Sequence, residues 1–222
     1  MKKILLALFA LSLFAFISKP PKKHIVFFGD SITQAAVSPG GYIMRIDSMC
    51  NAESLKESYQ FTGAGIGGNK VYDLYLRMEE DVLAKNPDMV FIYIGVNDVW
   101  HKATSGTGTD ADKFERFYQA IIKKLKDRNI KVVLCTPATI GEKNDNSNQQ
   151  DGDLNQYSKI IRDLATKNNL ALIDLRKLFV AYNVTNNPEN KAKGILTTDG
   201  VHLNAKGNQL VADEMWKLIK LN

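Results

Sequence analysis

The stretch PDMVFIYIGVND, Pro87–Asp98, decides the fold. Every residue from Met89 to Ile94 is apolar, and a short apolar run bounded by a proline and a glycine is typical of a strand buried on both faces. Such strands belong to parallel sheets whose two faces are covered by helices. We therefore expect an α/β protein in which Gly95 begins the turn at the carboxyl end of this strand.

Strand signals and helix signals alternate along the rest of the chain. The other strand-like runs are HIVFFGDS, SYQFTGAG, NIKVVLCTPAT and LALIDL, which begin at His24, Ser58, Asn129 and Leu170. Helical spacing of apolar residues is found in GYIMRIDSMCNA, NKVYDLYLRMEEDVLAKN, DADKFERFYQAIIKKLKDRN, LNQYSKIIRDLATKNN and AKGNQLVADEMWKLIKLN. This alternation predicts a parallel five-stranded sheet between two layers of helices. In such folds ligands bind at the carboxyl ends of the strands.

Length and composition indicate one folded domain. The chain has 222 residues, of which 45% are hydrophobic and 24% are charged. These values are ordinary for a globular protein and exclude a disordered chain. We predict a single domain over residues 22–222.

The first residues have the pattern of an export signal. Two lysines precede an apolar run from Ile4 to Ile17, which is too short to span a bilayer comfortably. We predict a signal peptide over residues 1–18, cleaved after Ala15 or Ser18, and an exported bacterial protein, periplasmic or extracellular, with no stable membrane insertion after cleavage. No cysteine lies near the end of the run, which disfavours a lipid-modified N-terminus. An uncleaved anchor that tethers the protein and a buried first helix are the alternatives.

Charge and cysteine content limit the partners. The formal net charge is +5, and acids and bases are interspersed in segments such as RMEEDVLAK, as on solvated helix faces. We therefore expect no nucleic-acid partner, and the sequence leaves the oligomeric state open. Cys50 ends a helical segment and Cys135 lies in an apolar run, so two buried free thiols are favoured over the disulfide that export would permit.

The glycines of TGAGIGGNK, at positions 63, 65 and 68, match the G-x-G-x-x-G pattern of a dinucleotide-binding turn. That turn belongs after the first strand, with an acidic residue about 20 positions further on at the end of the next strand. Here the glycines follow the second strand, Asp88 precedes its strand, and Asp98 lies too far along the chain. We therefore do not expect a nucleotide cofactor.

Residues suited to acyl transfer follow several of the predicted strands. Ser31, in the Gly-Asp-Ser turn, is a candidate nucleophile. Of three histidines, His24 opens the first strand at the opposite end of the sheet, whereas His101 and His202 lie at the carboxyl end. Asp199 stands three residues before His202, a spacing at which a carboxylate can orient an imidazole. A helix cap and a loop clamp are the structural alternatives for these residues.

Oxyanion stabilisation requires N–H donors held where negative charge develops. Asn97 offers a side-chain amide at a strand end, and Gly68 lets the backbone approach a substrate closely. We predict no metal ion at the site, because three separated histidines form no recognisable ligand set. We expect no cofactor.

Four sequence blocks, FFGDSIT, GAGIGGN, IGVND and DGVHLN, resemble those of the SGNH, or GDSL-like, hydrolase superfamily, and together they span nearly all of the chain after the signal. The resemblance implies a flavodoxin-like three-layer α/β/α sandwich. It also implies that Ser31 is the nucleophile, that Asp199 and His202 complete the triad, and that Gly68 and Asn97 join the Ser31 N–H in the oxyanion hole. Gly65 and Gly68 both fit the second block, and we choose Gly68.

The resulting prediction is a serine esterase that acts on a small-molecule or glycan ester. The predicted loops WHKATSGTGTD and TPATIGEKNDNSNQQDGD are mostly polar, which favours acetyl esters of carbohydrates over long-chain esters. The possible substrate-pocket residues are Asp30, Asn69, Trp100 and His101. A lysophospholipase or thioesterase, an acyltransferase with the same triad, and a non-catalytic glycan-binding protein are the alternatives.

Overall fold

The computed structural model describes residues 21–221, so the predicted signal peptide over residues 1–18 lies outside the described residues. The strands are β1 (Lys23–Gly29), β2 (Tyr59–Gly65), β3 (Met89–Tyr93), β4 (Lys131–Cys135) and β5 (Ala171–Ile173). The helices are α1 (Ser31–Ala35), α2 (Tyr42–Ala52), α3 (Val71–Asp81), α4 (Val96–Ser105), α5 (Ala111–Asp127), α6 (Asp151–Asn168), α7 (Leu175–Asn186) and α8 (Ala205–Lys220), with a short 3-10 helix at Leu83–Lys85.

The five strands form one parallel sheet in the order β2-β1-β3-β4-β5. Gly29 pairs with Gly65 on one side and with Tyr93 on the other, and Tyr93 pairs with Cys135. The carboxyl ends of the strands are therefore level. The chain order reverses between β1 and β3, and such a reversal opens a crevice for a ligand at that edge of the sheet.

Helices cover both faces of the sheet. Phe27 and Phe91 point to one face and pack with buried residues of α2, α7 and α8. Their neighbours Phe28 and Ile92 point to the other face and pack with α3, α5 and α6. Alternate residues of each central strand thus enter two separate cores, as expected for a doubly covered sheet. The prediction of a three-layer α/β/α sandwich is confirmed.

The helices α4 and α7 correct the element order expected from sequence. Residues 100–110 were expected to form a loop, but α4 continues directly from the turn after β3 and ends at Gly106, whose φ of 67° is typical of a helix-terminating glycine. The fifth strand stops at Ile173, and α7 begins at once because the Asp174 side chain accepts from the N–H of Lys177 and caps it. The β-branched residues and asparagines of α7 weaken its helical signal.

Two further observations concern the chain as a whole. Cys50 and Cys135 are both buried and free. Between residues 21 and 221, we find no helix that combines the length and the apolar character needed to cross a bilayer.

Candidate active site

The turn between β1 and α1 presents Ser31. The Asp30 carboxylate accepts from the N–H of Ile32 at 3.0 Å and caps α1, so Ser31 becomes the first helical residue. N–H groups of a first helical turn have no acceptor within the helix, which leaves the Ser31 N–H available to a ligand. Asp30 was a candidate for the substrate pocket, but it is only 2% exposed. It therefore stabilises this turn from the protein interior instead of lining an open pocket. Burial raises the pKa of Asp30 to about 7.

Ser31, His202 and Asp199 form a continuous hydrogen-bonded chain. The Ser31 Oγ lies 2.9 Å from Nε2 of His202, and Nδ1 of His202 lies 2.7 Å from Oδ2 of Asp199. Burial acts to raise the pKa of Asp199, but hydrogen bonds from the ring and backbone of His202 outweigh it and hold this pKa below its usual value. Because an ionised carboxylate only accepts, Nδ1 carries the proton and Nε2 is free to accept from Ser31.

The loop after β2 carries Gly68, the glycine predicted to donate to the oxyanion. Gly68 has a φ of 76°, which favours glycine. The neighbouring N–H groups are occupied, because Gly67 donates to Gln34 and Asn69 donates to the carbonyl of Ile66. The Gly68 N–H is therefore the donor of this loop that is left for a ligand.

Gly65 has a different reason to be glycine. A Cβ at this position would lie 2.1 Å from the backbone nitrogen of Gln34 and 2.7 Å from the carbonyl oxygen of Asp30. The missing side chain thus lets β2 pack directly against the start of α1. This contact supports the choice of Gly68 over Gly65 as the oxyanion donor.

Asn97 is the second residue of α4, which follows β3 after a short turn, and its side chain contacts the Gly68 loop. It is 2% exposed, and its amide donates to the carbonyl oxygen of Asn69 at 3.1 Å. A side-chain amide has two N–H groups, so the second remains for a substrate oxygen. The Asn69 side chain, a candidate for the substrate pocket, instead accepts from Arg77 at 2.6 Å.

Comparison with known proteins assigns the chain to a family. The sequence profile of the GDSL-like Lipase/Acylhydrolase family matches residues 27–210. The chain belongs to this family. The resemblance seen in the sequence is thereby confirmed, and with it the prediction of an ester-hydrolysing serine hydrolase.

Several relatives of this GDSL-like hydrolase have names or structures. The acetyl xylan esterase AlAXEase, for which a crystal structure is known, is 65% identical in sequence to this chain. The two structures superpose with a TM-score of 0.88, and the match covers 88% of this chain and 99% of that chain. An acetylxylan esterase of Geobacillus stearothermophilus is 28% identical over 86% of this chain and 90% of its own length. A lipoprotein of Bacillus subtilis, YqeF, is 24% identical over 85% of this chain and 86% of its own length.

Two aromatic residues of α4 border the site of this family member. The Trp100 ring lies 6.5 Å from the His202 ring, at 68° to it. A Cβ added to Gly68 would lie 3.8 Å from Cε1 of His101, so His101 stands beside the proposed oxyanion donor. Burial and the positive charge of Lys70 both lower the pKa of His101.

His24 lies at the start of β1, at the opposite end of this strand from Ser31. Its ring contacts Thr62 and the Lys85 carbonyl there.

Glu142 is a residue of this site region that the sequence did not reveal. It lies in the polar segment expected at the surface, yet it is fully buried. Its carboxylate accepts from the N–H groups of Ile195, Leu196 and Thr197 at 2.6–2.9 Å. Glu142 therefore anchors the segment that leads to Asp199 and His202. No spacing or motif distinguishes it from the exposed acids around it.

Proposed function

We propose that this chain is a serine esterase that removes short acyl groups, above all acetyl groups, from carbohydrates. The observation that carries the proposal is the hydrogen-bonded chain from Ser31 through His202 to Asp199, with lengths of 2.9 and 2.7 Å. Such a chain activates a hydroxyl that is otherwise a weak nucleophile at neutral pH. The roles below are those we assign to its members.

In the first half-reaction the Ser31 oxygen attacks the ester carbonyl carbon while its proton passes to Nε2 of His202. The carbonyl π electrons move onto the oxygen, which becomes the oxyanion of a tetrahedral intermediate. As the intermediate collapses, the bond to the alcohol oxygen breaks, and that oxygen takes the proton from Nε2. The products are the free sugar hydroxyl and an acyl-enzyme on Ser31.

In the second half-reaction water gives a proton to Nε2 of His202 while its oxygen attacks the acyl carbon, and a second tetrahedral intermediate forms. As this intermediate collapses, the bond to the Ser31 oxygen breaks, that oxygen takes the proton back from Nε2, and the carboxylic acid is released. Both intermediates carry an oxyanion. The donors we assign to it are the N–H groups of Ser31 and Gly68 and the amide of Asn97. Asp199 remains ionised throughout and keeps the His202 ring in the orientation and tautomer that both steps need.

Two observations support a carbohydrate as the alcohol. The relatives include acetyl xylan esterases, one of them 65% identical to this chain. The side chains of His202 and Asp199 are 37% and 47% exposed. An acylated hydroxyl of a polysaccharide that is too large to enter a closed cavity can therefore reach them. Trp100 beside His202 offers an aromatic face of the kind on which sugar rings stack.

Export is also part of the proposal. The two lysines and the apolar run at the N-terminus support it, as does the relative that is named a lipoprotein. N-terminal sequencing of the protein recovered from bacterial fractions tests it. We expect mature protein that begins after Ala15 or Ser18 outside the cytoplasm. Full-length protein confined to the cytoplasm would contradict this part of the proposal.

The esterase is tested with p-nitrophenyl acetate, butyrate and octanoate, with acetylated xylo-oligosaccharides, and with lysophosphatidylcholine. We expect fast release of acetate from the sugar ester and activity that falls with acyl length. The Ser31→Ala protein serves as the control and should show none of this turnover. Faster turnover of the lysophospholipid would favour a lipid hydrolase instead, and equal rates for both proteins would refute catalysis by Ser31.

A further inference from the structure

Arg77, on α3, contacts the ends of two neighbouring strands. Its Nη2 donates to the carbonyl oxygens of Gly29 at 2.7 Å and Ala64 at 3.0 Å. Gly29 is the last residue of β1, and Ala64 is the last but one of β2. The side chain is 15% exposed. One guanidinium nitrogen thus bridges the strands that lead to Ser31 and to the Gly68 loop.

The rest of the guanidinium is also engaged. Its Nε donates to Oδ1 of Asn69 at 2.6 Å, and Nη1 pairs with Asp81 at 2.5 Å. The guanidinium carbon lies 4.6 Å from the centre of the Phe28 ring. Only an arginine presents so many donors in one rigid plane, whereas a lysine ammonium is a single point of contact.

The residues that Arg77 contacts are close in sequence to the groups proposed to bind the oxyanion. Gly29 stands two residues before Ser31, and Asn69 directly follows Gly68. The carbonyl of Asn69 in turn accepts from the amide of Asn97. The carbonyl of Gly29 also accepts from the N–H of Ile66 at the start of the Gly68 loop. Arg77 is therefore linked to all three proposed oxyanion donors through their neighbours: to Ser31 through Gly29, and to Gly68 and Asn97 through Asn69.

We propose that Arg77 is a positioning residue of the active site, which holds the Ser31 turn and the Gly68 loop at the spacing that a preformed oxyanion hole requires. The inference rests on the proposed esterase function. Arg77 does not touch the reacting atoms. Its effect comes from preorganisation, and a displacement of about 1 Å in such a site can cost on the order of 100-fold in rate.

The variants Arg77→Lys and Arg77→Met separate this role from charge alone. Lysine keeps the positive charge but cannot reach both strand ends and Asn69, whereas methionine keeps the apolar stem over Phe28. Asp81→Asn is the matched control, because it removes the ion pair but retains an acceptor for Nη1 and leaves the contacts to the strand ends in place.

Activity is measured on p-nitrophenyl acetate per functional site, after titration of Ser31 with a p-nitrophenyl phosphonate. We expect kcat to fall roughly 10- to 100-fold in both Arg77 variants, with KM changed by no more than about twofold. We expect the control to stay within about twofold of the wild type in both constants. A merely structural role would lower the number of titratable sites and leave kcat per site unchanged, which would overturn the proposal.

A double-mutant cycle tests the path through Asn69. Asn69→Ala removes the Nε contact and leaves the backbone carbonyl that faces Asn97. If Arg77 acts in part through this contact, the loss in the double variant with Arg77→Met is smaller than the product of the two single losses. Independent losses that multiply would overturn this part of the inference.

Amide hydrogen exchange provides a readout that needs no turnover. We expect faster exchange over residues 65–70 in Arg77→Met and wild-type exchange there in Asp81→Asn. If the wild type hydrolyses no ester, or hydrolyses it equally well without Ser31, the proposed function fails while the exchange data still decide whether Arg77 holds this loop. Unchanged exchange over residues 65–70 in Arg77→Met would overturn the inference.

Discussion

Asp199 holds His202 at two points. Its Oδ2 lies 2.7 Å from the ring nitrogen Nδ1, and its Oδ1 accepts from the backbone N–H of the same residue at 2.8 Å. The three-residue spacing lets one carboxylate fix both the ring and the backbone that carries it. The rotation and the tautomer of the imidazole are thus set locally, before any contact with Ser31.

Asp199→Asn should reduce turnover strongly while leaving the fold intact. An asparagine can accept only through its single carbonyl oxygen, and its NH₂ group opposite Nδ1 favours the tautomer in which Nε2 is protonated. That tautomer cannot take the Ser31 proton. We expect kcat on p-nitrophenyl acetate to fall roughly 10²- to 10⁴-fold, with an unchanged circular dichroism spectrum. Activity within a few fold of the wild type would contradict the role assigned to Asp199.

Asn97→Ala tests the side-chain donor of the oxyanion hole. Removal of one such donor typically costs about 10²- to 10³-fold in turnover. We expect a loss of this size in kcat and little change in KM, because the donor is used mainly once negative charge has developed. Steady-state kinetics on the acetate ester provide the measurement. A rise in KM with kcat unchanged would make Asn97 a ground-state binding residue instead.

The strands and the four motif blocks were predictable because they depend on short-range sequence. Apolar runs that end at turns place Ser31, Gly68 and Asn97 at the carboxyl edge, and the parallel sheet then brings those edges level. The local spacing of Asp199 and His202 also needs no tertiary information. Family membership and the fold follow from these same segments.

The residues that support the site could not be predicted because they act across long sequence separations. Arg77 is 48 residues from Gly29 and lies in a charged stretch that resembles a solvated helix face. Glu142 is 53 residues or more from the N–H groups it accepts. Only the packing of helices on the sheet distinguishes these two charges from the many exposed ones. The helix α7 was missed because its β-branched residues have weak helical propensity.

Gly65→Ala and Gly68→Ala should separate stability from activity. An alanine at 65 brings its Cβ within 2.1 Å of the backbone of α1, which neither partner can relieve, so we expect a loss of at least about 2 kcal/mol in the free energy of unfolding. An alanine at 68 meets only an ordinary contact with the His101 ring, at 3.8 Å, but the φ of 76° costs it about 1–2 kcal/mol and favours a backbone shift that moves the N–H.

We therefore expect Gly68→Ala to remain folded and to lose roughly 10-fold or more in kcat. Chemical unfolding and steady-state kinetics on both variants make the comparison. If Gly65→Ala is as stable as the wild type, the close approach of β2 to α1 is wrong. If Gly68→Ala retains full kcat, its N–H is not an oxyanion donor.

We expect Asp98 to make the folded protein less stable as the pH rises, whereas the usual aspartate, with a lowered pKa, does the opposite. The carboxyl is buried beside Asn97 and accepts from the N–H of Val71 at 3.1 Å. Burial outweighs this hydrogen bond and raises the pKa of Asp98 from 3.8 to about 7. Between these two values the unfolded chain has released this proton while the folded chain still holds it. The folded state therefore binds more protons, and its stability falls as the pH rises from about 4 to about 7.

Asp98→Asn should remove this contribution, because asparagine keeps an acceptor for Val71 and carries no proton to lose. The full shift corresponds to roughly 4 kcal/mol as an upper limit, and Asp30, whose pKa the charge of Asp98 helps to raise, will also titrate lower in the variant. Urea unfolding at intervals between pH 4 and pH 8 measures the difference, with the exposed Asp127→Asn as control. We expect the wild type and the control to lose stability over this interval and Asp98→Asn to lose less. Parallel curves for all three proteins would mean that Asp98 is ionised in the folded state throughout, with a counter-charge that compensates its burial.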